Sequence, residues 1–214
     1  MTKLPIGLYA ITDPKLLPGD LLLSGVESAL RGGASVIQYR DKHATHIELL
    51  RAAQSLRDLC TDHHALLIMN DDLSLCLRVN ADGLHLGKSD GDLIEARAKL
   101  GEDKILGVTC HNDLQYAQHC YQLGADYCAF GRVFPSKTKP NAAHCNLDVI
   151  RQAAKQHYSS VAIGGISTEN LQTLLNKQIY SIAVIHGLFA QENIESTAHL
   201  FTTQIKTSFE KLAN

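Results

Sequence analysis

The chain has 214 residues, a formal net charge of -2 at pH 7 and an isoelectric point near 6.6. This length allows one domain with a sizeable core, and the balanced charge excludes a sequence-wide basic field that would hold nucleic acid or an anionic membrane. No stretch approaches the roughly 20 apolar residues of a membrane span, and residues 1–9 lack the features of a signal peptide, so we expect a cytoplasmic protein that binds small molecules.

Short apolar or β-branched runs predict strands at residues 6–12, 35–41, 65–71, 83–87, 105–110, 127–131, 160–165 and 181–187. Helical spacing of apolar residues predicts helices at residues 19–31, 46–59, 73–79, 93–100, 114–123, 147–157, 169–177 and 197–212. This alternation predicts parallel strands with crossover helices, and its number of repeats favours a single-domain (β/α)₈ TIM barrel over residues 1–214. A doubly wound open sheet is the alternative, but it usually has fewer strands and often a glycine-rich first crossover.

Glycine-containing phrases precede several predicted strands, at residues 31–34 (RGGA), 80–83 (NADG) and 123–126 (LGAD). Glycine after a helix predicts a left-handed cap that turns the chain into the next strand. The six cysteines (Cys60, Cys76, Cys110, Cys120, Cys128 and Cys145) contain no CxxC pair. We therefore expect buried free thiols in a reducing compartment rather than disulfides or zinc ligands.

The end of the second predicted strand carries Gln38, Arg40 and Lys42 at a spacing of two, which places all three on one face. In a parallel barrel this end of the strand faces the active site. Two cations and an amide there indicate a phosphate site, because arginine grips phosphate bidentately and lysine adds a point charge. The residues alone are equally compatible with a solvated rim on which Asp41 pairs with the cations.

Acidic residues follow the third and fourth predicted strands. Asp72 is the natural N-cap of the next helix, which leaves Asn70 and Asp71 at the strand end. Asp90 comes from the neighbouring loop, and two carboxylates with an amide suit a hard cation such as Mg²⁺. From the residues alone, an N-cap role before the helix at residue 93 is favoured for Asp90.

The later strand ends are also polar. Thr109 is able to hydrogen-bond an anion, while His111 is either an acid or base, or a surface residue before a helix capped by Asn112. The long loop at residues 131–140 is rich in hydroxyls and cations, which indicates either an anion-gripping lid or a solvated turn. Backbone amides after strand seven are suited to cradle a second phosphate.

The order and spacing of these motifs resemble the thiamine phosphate synthase family, from residue 8 to the turn after the eighth strand. The motifs are residues 8–13 (LYAITD), 38–42 (QYRDK), 70–72 (NDD), 83–87 (GLHLG) with Asp90, 134–139 (FPSKTK) and 162–166 (AIGGI). The resemblance implies a TIM-barrel transferase. It would join 4-amino-2-methyl-5-hydroxymethylpyrimidine diphosphate to a thiazole phosphate, or to its carboxylated form, giving thiamine monophosphate and diphosphate with Mg²⁺ as cofactor.

The resemblance also implies residue roles. Asp71 and Asp90 are expected to bind Mg²⁺. The residues expected to bind the pyrimidine diphosphate are Gln38, Tyr39, Arg40, Asp41, Lys42, Asn70, Thr109 and Lys139, of which Arg40, Lys42, Thr109 and Lys139 are expected to be catalytic. Those expected to bind the thiazole phosphate are Ser136, Lys137, Thr138, Gly165, Ile185 and His186. A homo-oligomer is compatible with the sequence.

This chain departs from the family pattern at four positions. Thr109 stands where serine is commoner and Ser136 where threonine is usual, and both changes retain the hydroxyl. Arg132 replaces a frequent proline, which either adds a cation or covers the rim. His186 replaces a frequent serine, so its backbone amide rather than its side chain is expected to contact phosphate.

Three rival functions are open. A thiazole tautomerase of the same fold would use a histidine near the end of strand five, where His111 lies. It would not need both Asp71 and Asp90. Another phosphate-handling barrel, such as an epimerase or an indole-type synthase, would need a general acid and base reaching into the barrel. A non-enzymatic binding barrel would lack turnover altogether.

Overall fold

Eight parallel strands form a closed barrel in which each strand pairs with its neighbours in sequence and β8 pairs with β1. This computed structural model describes residues 4–136 and 143–213. The strands are β1 Gly7–Ile11, β2 Val36–Tyr39, β3 Leu66–Asn70, β4 Gly83–Leu86, β5 Ile105–His111, β6 Tyr127–Phe130, β7 Ser160–Ile163 and β8 Ser181–Val184. The predicted TIM barrel is therefore confirmed, and the open sheet is excluded.

Helices follow the strands and surround the barrel. They are α1 Leu21–Arg31, α2 His46–Asp62, α3 Leu73–Arg78, α4 Leu93–Leu100, α5 Leu114–Gln122, α6 Leu147–Lys155, α7 Leu171–Leu175, α8 His186–Phe189 and α9 Ile194–Ala213. The prediction of a strand over residues 181–187 is wrong at its end, because β8 stops at Val184 and His186 begins α8. A four-residue helix is too short to show a helical period in the sequence.

Alternating residues of the strands pack into two separate cores. Inside the barrel, buried side chains including Tyr9, Ile68, Ile105, Tyr127 and Val161 form one apolar cluster. The outward-facing residues of the strands pack with the helices into a second, larger cluster. Because side chains fill the inside of the barrel, a ligand can reach its strand ends at the mouth.

The turns that lead into strands use left-handed residues, as the glycine phrases predict. Gly33 and Gly124 both have φ of 96°. In the phrase at residues 80–83 the prediction is wrong about the residue, since Asn80 takes the left-handed conformation (φ 51°) and Gly83 already begins β4. Asparagine tolerates this conformation better than most residues, because its short polar side chain can bond locally.

Two aspartates at the amino ends of strands repeat the same arrangement. Asp82 accepts a hydrogen bond from the backbone N–H of Leu67 at 2.7 Å and an ion-pair contact from Arg57 of α2 at 2.5 Å. Asp126 likewise accepts from the N–H of Leu106 and from Arg97 of α4, at the same distances. Each carboxylate thereby joins a strand to a helix at the end of the barrel opposite the pocket described below.

We expect Asp126→Ala to lower the free energy of unfolding by about 2 kcal/mol, because it leaves the backbone N–H of Leu106 without its acceptor and removes the carboxylate that pairs with the mostly buried guanidinium of Arg97. In a chain of this size that is a fall in Tm of about 4–8 °C. Glu27→Ala is the matched control, since its partner Arg31 forms an exposed pair worth at most about 0.5 kcal/mol. If urea unfolding shows the same loss in the free energy of unfolding for both variants, Asp126 does not stabilise the barrel in this way.

All six cysteines are buried and none forms a disulfide, as the sequence predicts. Burial raises the pKa of Cys60 and of Cys76 to about 12, so both side chains are protonated thiols near neutral pH. Within the described residues, no helix combines the length and the apolar character that crossing a membrane demands.

Candidate active site

A pocket lies inside the mouth of the barrel, at the carboxyl ends of the strands. Its polar wall comes from the strand ends β2 to β6, and its apolar wall comes from residues such as Ile11, Ala129 and Val161. The sequence-predicted site residues that line it are Gln38, Arg40, Lys42, Asn70, Asp71, Asp90, Thr109, Ser136 and Ile185. Most of the predicted set thus meets in one place.

The backbone at Arg40, just after β2, is held by a residue that follows the neighbouring strand β1. Gln38 is a buried residue of β2, while Arg40 and Lys42 follow the strand and line the same pocket, as their spacing predicts. The hydroxyl of Thr12 accepts a hydrogen bond from the backbone N–H of Arg40 at 2.9 Å and donates to its carbonyl at 3.3 Å. This exchange fixes the backbone from which Arg40 reaches the pocket.

Lys42 lies between the two aspartates that the sequence assigns to a metal. Its ammonium nitrogen is 3.1 Å from Oδ2 of Asp71 and 3.8 Å from Oδ1 of Asp90. The side chains of all three are part-exposed to the pocket. The ammonium group of Lys42 therefore lies beside both carboxylates and reduces the repulsion between their negative charges.

The carboxylate of Asp71 is held in a fixed orientation. Asp71 has a left-handed backbone (φ 64°) and receives hydrogen bonds from Asn70 Nδ2 at 2.6 Å and from the N–H of Gly87 at 3.2 Å. Gly87 also allows Asp90 to approach, because a Cβ at this glycine would lie 1.9 Å from Oδ2 of Asp90. The loop after β4 thus brings both carboxylates to one point.

The N-caps differ in part from those that the sequence favours. Asp72 caps α3 by accepting from the N–H of Leu75, as predicted. The cap role favoured for Asp90 is wrong, because Asp92 caps α4. The cap role of Asn112 is also wrong, since Asp113 caps α5. Asp90 is therefore available to the pocket.

The fit of these residues to a divalent cation follows from their donors. Among the described residues, no group of three or more His, Cys, Asp or Glu side chains could hold a metal ion. Two carboxylates with open space beside them suit Mg²⁺, which usually takes one or two protein carboxylates and completes its shell with water and phosphate oxygens. The ammonium of Lys42 already marks where positive charge is stabilised.

A second pocket adjoins the first and is built from the ends of β7 and β8. Ser136 and Ile185 line both pockets, while Gly165 and His186 line only the second. Gly165 has a left-handed backbone (φ 68°), and its N–H has no acceptor among the described residues. A backbone N–H in this position is a ready donor to an anion.

Some predicted site residues lie elsewhere. Tyr39 packs into the outer core against the helices, where burial and the nearby Asp41 carboxylate raise its pKa to about 12. The carboxylate of Asp41 accepts from the backbone N–H groups of His43 and Ala44 in the following turn. Neither Tyr39 nor Asp41 lines the pocket. Lys137, Thr138 and Lys139 fall outside the described residues.

Two residues left open by the sequence also reach the first pocket. His111 ends β5 with a left-handed backbone (φ 53°) and lies at the pocket with an exposed side chain. Arg132 lines the pocket beside Gly164, and its backbone carbonyl accepts from the N–H of Cys145.

Sequence reasoning missed a line of buried polar groups inside the barrel, which we call the buried chain. It comprises Gln38, Tyr9, Tyr127, His85 and Thr109. Gln38 Nε2 donates to the Tyr9 hydroxyl at 2.7 Å, the two tyrosine hydroxyls are 2.8 Å apart, and Tyr127 lies 2.9 Å from His85 Nδ1. His85 Nε2 is 2.8 Å from the hydroxyl of Thr109. The available signal is that the two tyrosines and the histidine sit at inward strand positions, where a buried polar tip needs a partner.

Comparison with known proteins places the chain in one family. The sequence profile of the thiamine monophosphate synthase family (TMP-TENI) matches residues 8–188. The thiamine-phosphate synthase of Alcanivorax borkumensis is 48% identical over 206 residues, a match that covers 94% of this chain and 95% of that protein. The thiamine-phosphate synthase of Marinobacter nauticus is 45% identical over 200 residues, a match that covers 92% of this chain and 90% of that protein. The structure of the thiamine phosphate pyrophosphorylase from Pyrococcus furiosus superposes with a TM-score of 0.85 at 30% identity, covering 95% of this chain and 96% of that one.

Proposed function

The chain belongs to the thiamine monophosphate synthase family, and on that premise we propose that it joins an aminopyrimidine methyl diphosphate to a thiazole phosphate. The pyrimidine substrate is 4-amino-2-methyl-5-hydroxymethylpyrimidine diphosphate, and the products are thiamine monophosphate and diphosphate. The observation that carries the proposal is the placement of Lys42 between Asp71 and Asp90 in a pocket that also holds Arg40. Cations set against paired carboxylates suit a metal-bound diphosphate.

The first pocket takes the pyrimidine diphosphate. Arg40 and Lys42 bind the diphosphate oxygens, and Asn70 adds an amide donor beside them. Gln38 and Thr109 contact the pyrimidine ring from the strands. Lys139, which family resemblance assigns to the same substrate, is proposed on that resemblance alone. Tyr39 and Asp41 support the pocket wall rather than contact substrate, given where their side chains lie.

Asp71 and Asp90 are the residues that would hold Mg²⁺, which would neutralise the charge that develops on the leaving diphosphate. The chain's own residues contribute to the same end. Asn70 and the N–H of Gly87 keep the Asp71 carboxylate aimed into the pocket. The ammonium of Lys42, beside these carboxylates, lies where it would contact the diphosphate.

The second pocket takes the thiazole phosphate. The N–H of Gly165, the start of α8 at His186 and the hydroxyl of Ser136 are its anion donors. Ile185 lies in the wall shared by the two pockets. Lys137 and Thr138 are proposed here on family resemblance. The adjacency of the pockets brings the thiazole nitrogen towards the methylene carbon of the pyrimidine.

The reaction that this arrangement supports is a dissociative displacement. The bond from the methylene carbon to the diphosphate oxygen breaks first, and the diphosphate leaves with that electron pair. The aminopyrimidine delocalises the resulting positive charge until the thiazole nitrogen donates a lone pair to the methylene carbon. No side-chain nucleophile is required, so the protein contributes positioning and charge neutralisation.

The test is diphosphate release from purified protein given both substrates. We expect turnover with Mg²⁺, and a loss of at least about 100-fold when the ion is removed by a chelator. Readdition of Mg²⁺ should restore the rate, which controls for damage by the chelator. No diphosphate release with Mg²⁺ present would sink the proposal. Isomerisation of a thiazole phosphate without diphosphate release would instead establish the tautomerase alternative at His111.

A further inference from the structure

We infer that Tyr9, Tyr127 and His85 are positioning residues that fix the hydrogen-bond polarity of Gln38 and Thr109 towards an aminopyrimidine edge. The identity of that ligand rests on the proposed function, whereas the polarity itself is a property of the free protein. The inference uses the buried chain, whose two end residues, Gln38 and Thr109, both line the pocket.

The direction of the first links follows from the amide of Gln38. Its Nε2 has hydrogens but no lone pair to offer, so it donates to the hydroxyl oxygen of Tyr9. Tyr9 therefore cannot direct its own hydrogen at Gln38. The remaining neighbour of that hydroxyl in the chain is Tyr127, so the Tyr9 O–H donates to the Tyr127 oxygen.

The same reasoning carries the direction to the other end. Tyr127 accepts from Tyr9, so its single hydrogen points to His85 Nδ1. A neutral imidazole that accepts at Nδ1 carries its hydrogen on Nε2. His85 Nε2–H therefore donates to the oxygen of Thr109, and the Thr109 hydrogen is left to point into the pocket.

The protonation of the phenols supports this direction. Burial raises the pKa of Tyr9 and the pKa of Tyr127 well above the ordinary value. Both hydroxyls therefore keep their hydrogens at neutral pH, and each supplies one donor to the chain.

The two ends then present complementary groups to a ligand. Gln38 Oε1 has no hydrogen-bond partner among the described residues. Since every buried side-chain oxygen or nitrogen that the structure describes has a partner, this oxygen is exposed, and as an acceptor it faces the pocket that Gln38 lines. Thr109 presents a donor. A 4-aminopyrimidine offers the converse pair on one edge, because its amino group donates and its adjacent ring nitrogen accepts. A 4-oxopyrimidine presents the opposite pattern and leaves both protein groups mismatched.

The first experiment measures the histidine tautomer in the free protein. The ¹⁵N spectrum of histidine-labelled protein, with His85→Asn to assign the signal, should show His85 with its hydrogen on Nε2. The reversed direction of the chain would require the hydrogen on Nδ1, and that result would overturn the inference. This readout needs no substrate, so it stands even if the proposed function fails.

The second experiment breaks the buried chain at its centre. Tyr127→Phe removes one hydroxyl with little change in shape, and Tyr121→Phe is the matched control, because its hydroxyl donates to the carbonyl of Ser159 outside the pocket. The measured quantity is the ratio of kcat/KM for the 4-amino and the 4-oxo pyrimidine diphosphates. We expect Tyr127→Phe to reduce this discrimination by about tenfold or more, which is the factor that one unsatisfied buried polar group costs, and Tyr121→Phe to leave it unchanged.

The outcomes separate the two claims. Turnover by the wild-type protein with equal discrimination in Tyr127→Phe overturns the inference and leaves the proposed function intact. Absence of turnover by the wild-type protein overturns the proposed function, and the tautomer then decides the polarity. If Tyr127→Phe does not fold, Tyr9→Phe removes the neighbouring hydroxyl of the buried chain instead. Reduced discrimination in that variant supports the inference, and unchanged discrimination overturns it.

Discussion

Replacing Asp71 by asparagine is expected to lower kcat/KM for the pyrimidine diphosphate by about 1000-fold or more with Mg²⁺ present. The substitution removes the negative charge that faces Lys42 and Asp90. It keeps the side-chain volume and the left-handed backbone (φ 64°), which asparagine adopts readily. We therefore expect the fold to survive. Steady-state diphosphate release and thermal unfolding check the two halves of this expectation.

Asp72 is the matched control for this experiment, because it is the adjacent aspartate and its carboxylate caps α3. Asp72→Ala should lose about 1 kcal/mol of stability through the missing cap, and its turnover should stay within about twofold of wild type. If Asp71→Asn retains a tenth or more of the wild-type rate, Asp71 is not a metal ligand.

Replacing Gly107 by alanine is expected to lower the free energy of unfolding by more than about 3 kcal/mol. Gly107 lies in β5 between His85 of β4 and Tyr127 of β6 in the strand register. A Cβ there would be 2.0 Å from Cζ of Tyr127 and 2.4 Å from its hydroxyl oxygen. The Tyr127 ring is fully buried, and its hydroxyl is held by Tyr9 and His85, so moving the ring aside would break those contacts.

A double-mutant cycle with Tyr127→Leu identifies the cause. The smaller side chain removes the ring atoms that the added methyl would meet, so the two substitutions should be far from additive. Urea unfolding of the four proteins measures the coupling. Simple addition of the two losses would mean that the methyl at Gly107 acts on the backbone rather than on Tyr127.

The fold could be predicted because each strand and helix has its own hydrophobic periodicity in the sequence. Short apolar runs for strands alternate with helical spacing for helices, and each pattern can be read from a short stretch of sequence. Eight repeats of this alternation favour a closed barrel of parallel strands. Cap positions were less secure, since Asp90 and Asp92 precede the same helix, and so do Asn112 and Asp113. Only the backbone conformation at the helix start decides which of two such neighbours caps the helix.

The residues that line the pocket could be predicted where they follow strands, whereas the hydrogen bonds that cross the barrel could not. Gln38, Arg40, Lys42 and Asp71 could be inferred from their place at strand ends. The contact between Tyr9 and Tyr127 joins residues 118 positions apart, and no local pattern encodes it. The loop containing Lys139 is assigned by family resemblance, because it falls outside the described residues.

The ammonium of Lys42 between Asp71 and Asp90 has a consequence for the order of assembly. Two carboxylates facing each other without a cation would repel and would oppose folding until an ion arrived. Here the ammonium of Lys42 offsets one of the two negative charges before any ligand is present, which reduces the repulsion between the carboxylates. We therefore expect the barrel to fold in the absence of metal, and an ion bound at these carboxylates would serve the proposed reaction rather than the architecture.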